Sequence, residues 1–327
     1  MSGENEAREE FECFASRCAV LASGAGAERS AREAVLLARR ALLSWHARFS
    51  RFLADSELSR VNADPRATLR VHPLMARLAL AARYAGRVSG GLVDATLVPQ
   101  LRDAGYARDL RERLALESAL ALAPARAPAR ASADARWRAL EVDVHSHTLT
   151  RPPGVQLDSG GLAKGMFADV LGAMLASHAS FAVDCAGDLL VGGAAGTPRP
   201  IHIESPFDAS VLHTFELART GVATSGIGRR SWIDDAGRPA HHLLDPATGR
   251  PAFTGVVQVS ALAPSALAAE VKAKAALLSG PRAAAGWLTH GGVIVFDDGA
   301  HRVVQPPPPL TLAQLRPRRP RASVPAR

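Results

Sequence analysis

The sequence predicts an α+β fold, with mixed or antiparallel sheets flanked by helices. Apolar residues recur at helical spacing in several separate stretches, and short alternating runs lie between them. The two kinds of segment do not follow the regular strand–helix–strand rhythm of a doubly wound sheet. No short-period repeat is visible. The 327 residues allow one large domain or two intimate ones. With 47% apolar and 21% charged residues, the composition excludes a mostly disordered chain.

The first predicted helix covers 31–49, where Val35, Ala38, Leu42, Trp45 and Phe49 recur on one face. "FSRFLADSELSRVN", residues 49–62, reads as a polar turn region containing Asp55, Ser56, Ser59 and Asn62. A second helix is expected over 73–88, stopped by the "SGG" of 89–91. Residues 107–139, rich in Ala and Arg with interspersed Pro, read as a variable helical or loop insertion. Alternation in "WRALEVDVHSHTLT", 137–150, predicts a strand or hairpin. In "LDSGGLAKGMFADVLGAML", 157–175, Met166, Phe167, Val170, Leu171, Met174 and Leu175 form the buried face of a third helix. "FAVDCAGDLLVGG" reads as two short strands joined through "CAGD", and "PIHIES" and "HTFELA" as further strands. "HHLLDPATGRP" is a strand entering a turn, "SALAAEVKAKAALLSG" a helix, and "GGVIVFDDG" a last strand.

Charge and cysteines narrow the setting. The net charge is +8, but the tail from Pro306 holds five arginines and no acid, which leaves the rest near +3. That proline-rich tail, 306–327, reads as a disordered extension beyond a domain of residues 1–305. Nucleic acid is not an expected partner. No apolar run reaches the roughly 18 to 20 residues of a membrane span. The acidic N-terminus "MSGENEAREEFECF" carries no readable signal peptide. Cys13, Cys18 and Cys185, an odd count without CxxC spacing, suit a reducing compartment, so a cytoplasmic location is expected.

Several stretches carry chemistry. Lys164, one of three lysines, falls in the first turn of the 157–175 helix, just after Gly160 and Gly161. A helix N-terminus offers free N–H groups and a positive dipole end, so this reads as a phosphate seat; a glycine turn into a core helix is the other reading. A Walker loop is absent, and "GAGAER" is too poor a match for a dinucleotide fingerprint. "GVATSGIGRRSW", with Ser225, Arg229 and Arg230, reads as a ligand-holding turn or a plain hairpin turn. In "HHLLDPATGRP", turn chemistry accounts for Asp245 to Gly249 but not for His242, a natural general base or a structural histidine. Glu270 and Lys274 stand four apart on one helix, where the simple account is a surface ion pair.

Taken together, these segments resemble the ApbE-type flavin transferases, the FAD:protein FMN transferases, in order over most of residues 49–299. "FSRFLADSELSRVN" resembles the family's "FS…SELSxLN", and "SGGLVDATLVPQL" its "GxFDPTVxPL", with Asp94 at the aspartate position. "LDSGGLAKGMFADVL" is similar to "LGGIAKGYxxD", and "VDCAGDLLVGG" to "NxGGDIxxxG". "VATSGIGRRSW" and "HHLLDPATGRP" look like "ATSGxYRR" and "HIIDPRTGxP".

The resemblance implies an enzyme that cleaves the FAD pyrophosphate, transfers FMN to a threonine of an acceptor flavoprotein, and releases AMP. An FAD pyrophosphatase and a non-catalytic flavin-binding protein are the competing expectations. By the same carry-over, Ser59, Asn62, Asp94, Gly160, Gly161, Lys164, Gly187, Asp188, Ser225 and Gly226 would serve the flavin dinucleotide. His242 would deprotonate the acceptor threonine, with Asp245 orienting it or serving the metal region. Mg²⁺ is expected from the family, its ligands mapping to the Ala163 carbonyl, Glu270 and Lys274. Lysine has no lone pair to give while protonated, so its ammonium stands where a cation would sit. Gly228 replaces a family tyrosine.

Overall fold

Eight strands lie side by side in one antiparallel sheet, in the same order in space as along the chain. They are β1 (Ala7–Cys13), β2 (Ser16–Ser23), β3 (Ser180–Asp184) and β4 (Asp188–Gly192). Next come β5 (Thr220–Gly226), β6 (Val256–Ala263), β7 (Gly292–Phe296) and β8 (His301–Val304). Helices and small sheets are inserted between consecutive strands. This computed structural model describes residues 6–108 and 113–307. An α+β architecture is what the segment order predicted.

Five helices matter for the site: α1 (Ala31–Phe49), α2 (Glu57–Ala63), α3 (Pro73–Val88), α4 (Ala163–Leu175) and α5 (Ala266–Ser279). Helix α1 starts with a capping box. The Glu33 N–H donates to Ser30 Oγ at 3.3 Å, and the Ser30 N–H donates back to Glu33 Oε2 at 3.0 Å. One core gathers α1, α3 and α4 against β2 and β3, around buried Leu42, Phe49, Met75, Leu78, Phe167 and Val183. A second gathers α5 against β5, β6 and β7, around Val222, Val259, Ala261, Leu277 and Ile294.

The predicted helices at 31–49 and 73–88 are found with those bounds. The 137–150 hairpin is present as Glu141–Asp143 and Thr148–Thr150, completed by Thr68–Arg70. Elsewhere the structure corrects the sequence reading. The "SELSRVN" of the polar turn region is largely helix α2, because Ser56 Oγ caps it by accepting the Ser59 N–H at 3.0 Å. "VATSG" is not a turn; it lies in β5, paired on both sides by β4 and β6. "GGVIVF" is followed by one more strand, β8.

The stretch 107–139 contains the short helix Leu116–Ala121 and a 3₁₀ turn at Arg136–Ala139, and is bound back to the body. Its Ala127 and Ala129 N–H groups donate to the Phe253 and Leu278 carbonyls, and Trp137 is buried. The tail reading at 306–327 falls, from residue 308 onward, outside the described residues. Among the described residues no helix is long and apolar enough to cross a membrane.

Candidate functional site

The glycine pair is held from behind by side chains that the sequence placed in other segments. Asn62, on α2, grips Leu157 through both ends of its amide. Its Nδ2 donates to the Leu157 carbonyl at 2.8 Å, and the Leu157 N–H donates to its Oδ1 at 2.8 Å. Both groups are buried, so Asn62 positions the stretch. Ser159 Oγ donates to the Phe49 carbonyl at 2.7 Å, and the Asp158 N–H donates to the Ala95 carbonyl at 2.8 Å. Arg51 Nε lies 3.2 Å from Asp158 Oδ1, with its guanidinium against the faces of Tyr106 and Phe52. Sequence reasoning missed Arg51 and Asp158. Their signal was an acid directly before "SGG" and a basic residue in "FSRF".

Four charged groups meet where α4, α5 and the β3–β4 turn converge. Lys164 Nζ is 2.7 Å from Asp188 Oδ2, and Lys274 Nζ is 3.0 Å from Glu270 Oε1. Glu270 is fully buried and Asp188 nearly so, and the Gly165 N–H donates to Glu270 Oε2 at 3.0 Å. The surface-pair account of Glu270 and Lys274 is therefore corrected: α5 turns this face inward. Burial pushes the Glu270 carboxyl up and Asp188 adds to this, while Lys274 and Lys164 pull it back. Burial lowers the Lys164 ammonium, but Asp188 and Glu270 outweigh it and leave it raised. Asp188 and Lys164 thus form a short, mostly buried ion pair.

A cavity opens beside this cluster. Among its lining residues are Asp94, Asp158, Gly161, His242 and Lys274. Asp94 Oδ1 accepts from the Thr96 N–H at 2.8 Å and Thr96 Oγ1 at 2.5 Å; burial nonetheless raises its carboxyl. Burial, reinforced by the charges of Arg230, His241 and Lys274, holds the His242 imidazole well below the ordinary histidine range. It is thus neutral near pH 7, and its Nδ1 has no hydrogen-bond partner. Its neighbour His241 is fully buried against Phe253 and lowered to about 3. Asp245 does not take up His242 Nδ1. Its Oδ1 accepts from the Arg130 and Ala247 N–H groups and its Oδ2 from Thr248 Oγ1, so it shapes the turn.

The profile of the ApbE family matches residues 20–296. The chain belongs to the ApbE family. Among its curated relatives is the FAD:protein FMN transferase of Rhodobacter capsulatus, 30% identical over 267 residues, which are 78% of this chain and 48% of that protein. The Salmonella typhimurium protein of the same name is 27% identical, over 76% of this chain and 71% of that one. The first relatives, including those of Chlamydia muridarum and Rhodobacter capsulatus, are matched along half their length or less. In fold, the chain resembles the apo flavinyl transferase ApbE of Pseudomonas stutzeri, with TM-score 0.71, 22% identity, and 93% and 96% of the two chains covered. The Thermotoga maritima ApbE protein superposes with TM-score 0.72 at 22% identity, over 91% of this chain and 97% of that one.

The family resemblance thus leads to a cavity that gathers Asp94, Gly161, Lys274 and His242, with Lys164, Asp188 and Glu270 clustered beside it. Ser225 and Gly226 sit in β5 and are not among the residues lining it. Ser59 lies in the first turn of α2, and Gly187 in the β3–β4 turn, where its N–H donates to Asp184 Oδ1 at 2.7 Å.

The residues at the family's metal positions do not suit Mg²⁺. Glu270 Oε1 already faces an ammonium, Oε2 accepts from a backbone N–H, and the third position is that ammonium itself. A hard cation needs several oxygen donors. Among the described residues, no group of three or more His, Cys, Asp or Glu could hold a metal ion.

Proposed function

We propose that the protein takes FAD as its substrate and transfers FMN to a threonine hydroxyl of an acceptor flavoprotein, releasing AMP. The observation that carries this reading is a neutral, partly buried His242 opening into the same cavity as Asp94, Gly161 and Lys274. The FAD:protein FMN transferase name of the curated relatives supports it. In the reaction, threonine Oγ attacks the FMN phosphorus, and a new phosphoester bond forms as the pyrophosphate P–O bond breaks. The hydroxyl proton passes to His242, and AMP leaves as an anion. Phosphoryl transfer of this kind depends on positioning and charge neutralisation. Lys164, whose ammonium is held charged beside Asp188 and Glu270, provides the charge on one side. We place the protein in the cytoplasm, a setting that suits three free, buried cysteines.

The test incubates the full chain with FAD and a candidate acceptor, in parallel with the acceptor's threonine-to-valine variant. Covalent flavin is read by in-gel fluorescence and AMP by chromatography. Labelled acceptor and equimolar AMP are expected, with no label on the valine variant. FMN and AMP released free in the acceptor's presence would replace transfer with hydrolysis. Absence of both products would overturn the reading.

A further inference from the structure

We propose that the Lys274 ammonium serves as a built-in cation for the substrate's pyrophosphate, so that flavin dinucleotide binding by this chain needs no divalent metal. The inference rests on the FAD reading above and concerns this chain's own residues. Lys274 Nζ is anchored 3.0 Å from a carboxylate oxygen of fully buried Glu270, one turn earlier on α5. Its stem crosses Gly161, where an added Cβ would come within 3.2 Å of Lys274 Cε, so the glycine clears its path. The side chain remains 12% exposed and lines the cavity beside His242 and Asp94. The ammonium therefore has one side fixed by Glu270 and other N–H bonds free to point at a ligand, since it carries three donors.

Charge supports the same assignment. Lys164 and Lys274 balance Asp188 and Glu270 before any ligand enters, and Arg230 adds a positive field at both Lys164 and His242. An incoming pyrophosphate would thus meet a net positive field from Arg230 and two compact ammonium heads with N–H donors to turn towards it. Arginine, which this chain uses nearly everywhere else for positive charge, is a broad planar fork and would not replace a small ion as well.

The experiment uses the full chain with FAD as ligand and Mn²⁺ as a spectroscopic stand-in for Mg²⁺. FAD affinity is measured by titration calorimetry in EDTA and in Mn²⁺, and bound Mn²⁺ by electron paramagnetic resonance. For the unaltered protein we expect equal FAD affinity in both conditions and no stoichiometric Mn²⁺. Lys274→Thr should bind Mn²⁺, and its FAD affinity in EDTA should fall by about 10- to 100-fold, the usual worth of one hydrogen bond to a charged group. Lys274→Met, which keeps the stem, should lose as much with no rescue by Mn²⁺, and it decides the matter where the threonine variant does not fold.

FAD binding by the unaltered protein that collapses in EDTA would overturn the inference while leaving the transferase reading intact. So would one tightly held Mn²⁺ per chain, or undiminished affinity in Lys274→Met. No FAD binding in either condition would overturn both.

Discussion

Replacing Asn62 by alanine removes the two hydrogen bonds that hold Leu157, each 2.8 Å long and out of contact with water. Leu157 itself is fully buried, so its N–H and C=O would be left without partners. Each such orphan costs about 1 to 3 kcal/mol, which puts the loss at about 2 to 6 kcal/mol. At about 2 °C per kcal/mol for a chain of this size, the thermal midpoint should drop by about 4 to 12 °C. Urea unfolding followed by far-ultraviolet circular dichroism measures the first quantity, and a thermal scan the second. FAD affinity should fall with stability, because the clamp holds the backbone directly before Gly160 and Gly161. A loss below about 1 kcal/mol in Asn62→Ala would refute the reasoning, since water would then be replacing the clamp.

Other outcomes are equally specific. His242→Ala should leave FAD binding intact and slow transfer by about 10²- to 10⁴-fold, the usual worth of a general base, measured by acceptor labelling; an unchanged rate would make it structural. His241 is lowered from 6.5 to about 3 by burial, so the unfolded chain takes up its proton first as pH falls. The native state should therefore lose about 1.4 kcal/mol per pH unit from this group, beginning near pH 6.5 and continuing towards its folded value. Asparagine can accept the Leu243 N–H in place of His241 Nδ1, so the difference in urea-derived stability slopes between wild type and His241→Asn reads the effect; equal slopes would disprove it. An added Cβ at Gly165 would sit 2.7 Å from the Ala266 carbonyl oxygen, so Gly165→Ala should cost about 1 to 3 kcal/mol in urea unfolding. A neutral result there would mean that α4 and α5 can slide apart.

What could be read from the chain beforehand depended on signal length and on conventional punctuation. Helices α1 and α3 run through four or more turns with a consistent apolar face, and their bounds were legible. The β1–β2 hairpin was not. Its two-residue turn is Phe14–Ala15, both at positive φ, where a hairpin would ordinarily advertise itself with Asn-Gly or Gly. Helix α2 has only seven residues, and its serines look like loop composition until Ser56 is seen capping it. At the candidate site, Lys164, His242 and Asp94 stand out within their motifs as residue types. Their arrangement was less legible. Helix α5 is alanine-rich on most sides, so no polar face told which way Glu270 and Lys274 would turn. Nor did spacing alone reveal that Asn62 addresses backbone 95 residues away.

Helices α4 and α5 are joined at three successive places. Besides the Gly165 contact with the Ala266 carbonyl and its N–H bond to Glu270, Asp169 accepts the Ala266 and Leu267 N–H groups at 2.7 and 3.1 Å. Lys164 and Lys274 therefore ride on a single welded strut, and the span between their heads is set before any ligand arrives. A ligand that bridges them has little ordering entropy to supply, but it also cannot stretch the gap to suit its own length. Altering the spacing of the two ammonium heads would require refitting Gly165, Asp169 and Ala266 as a block, because each alone is locked by the others.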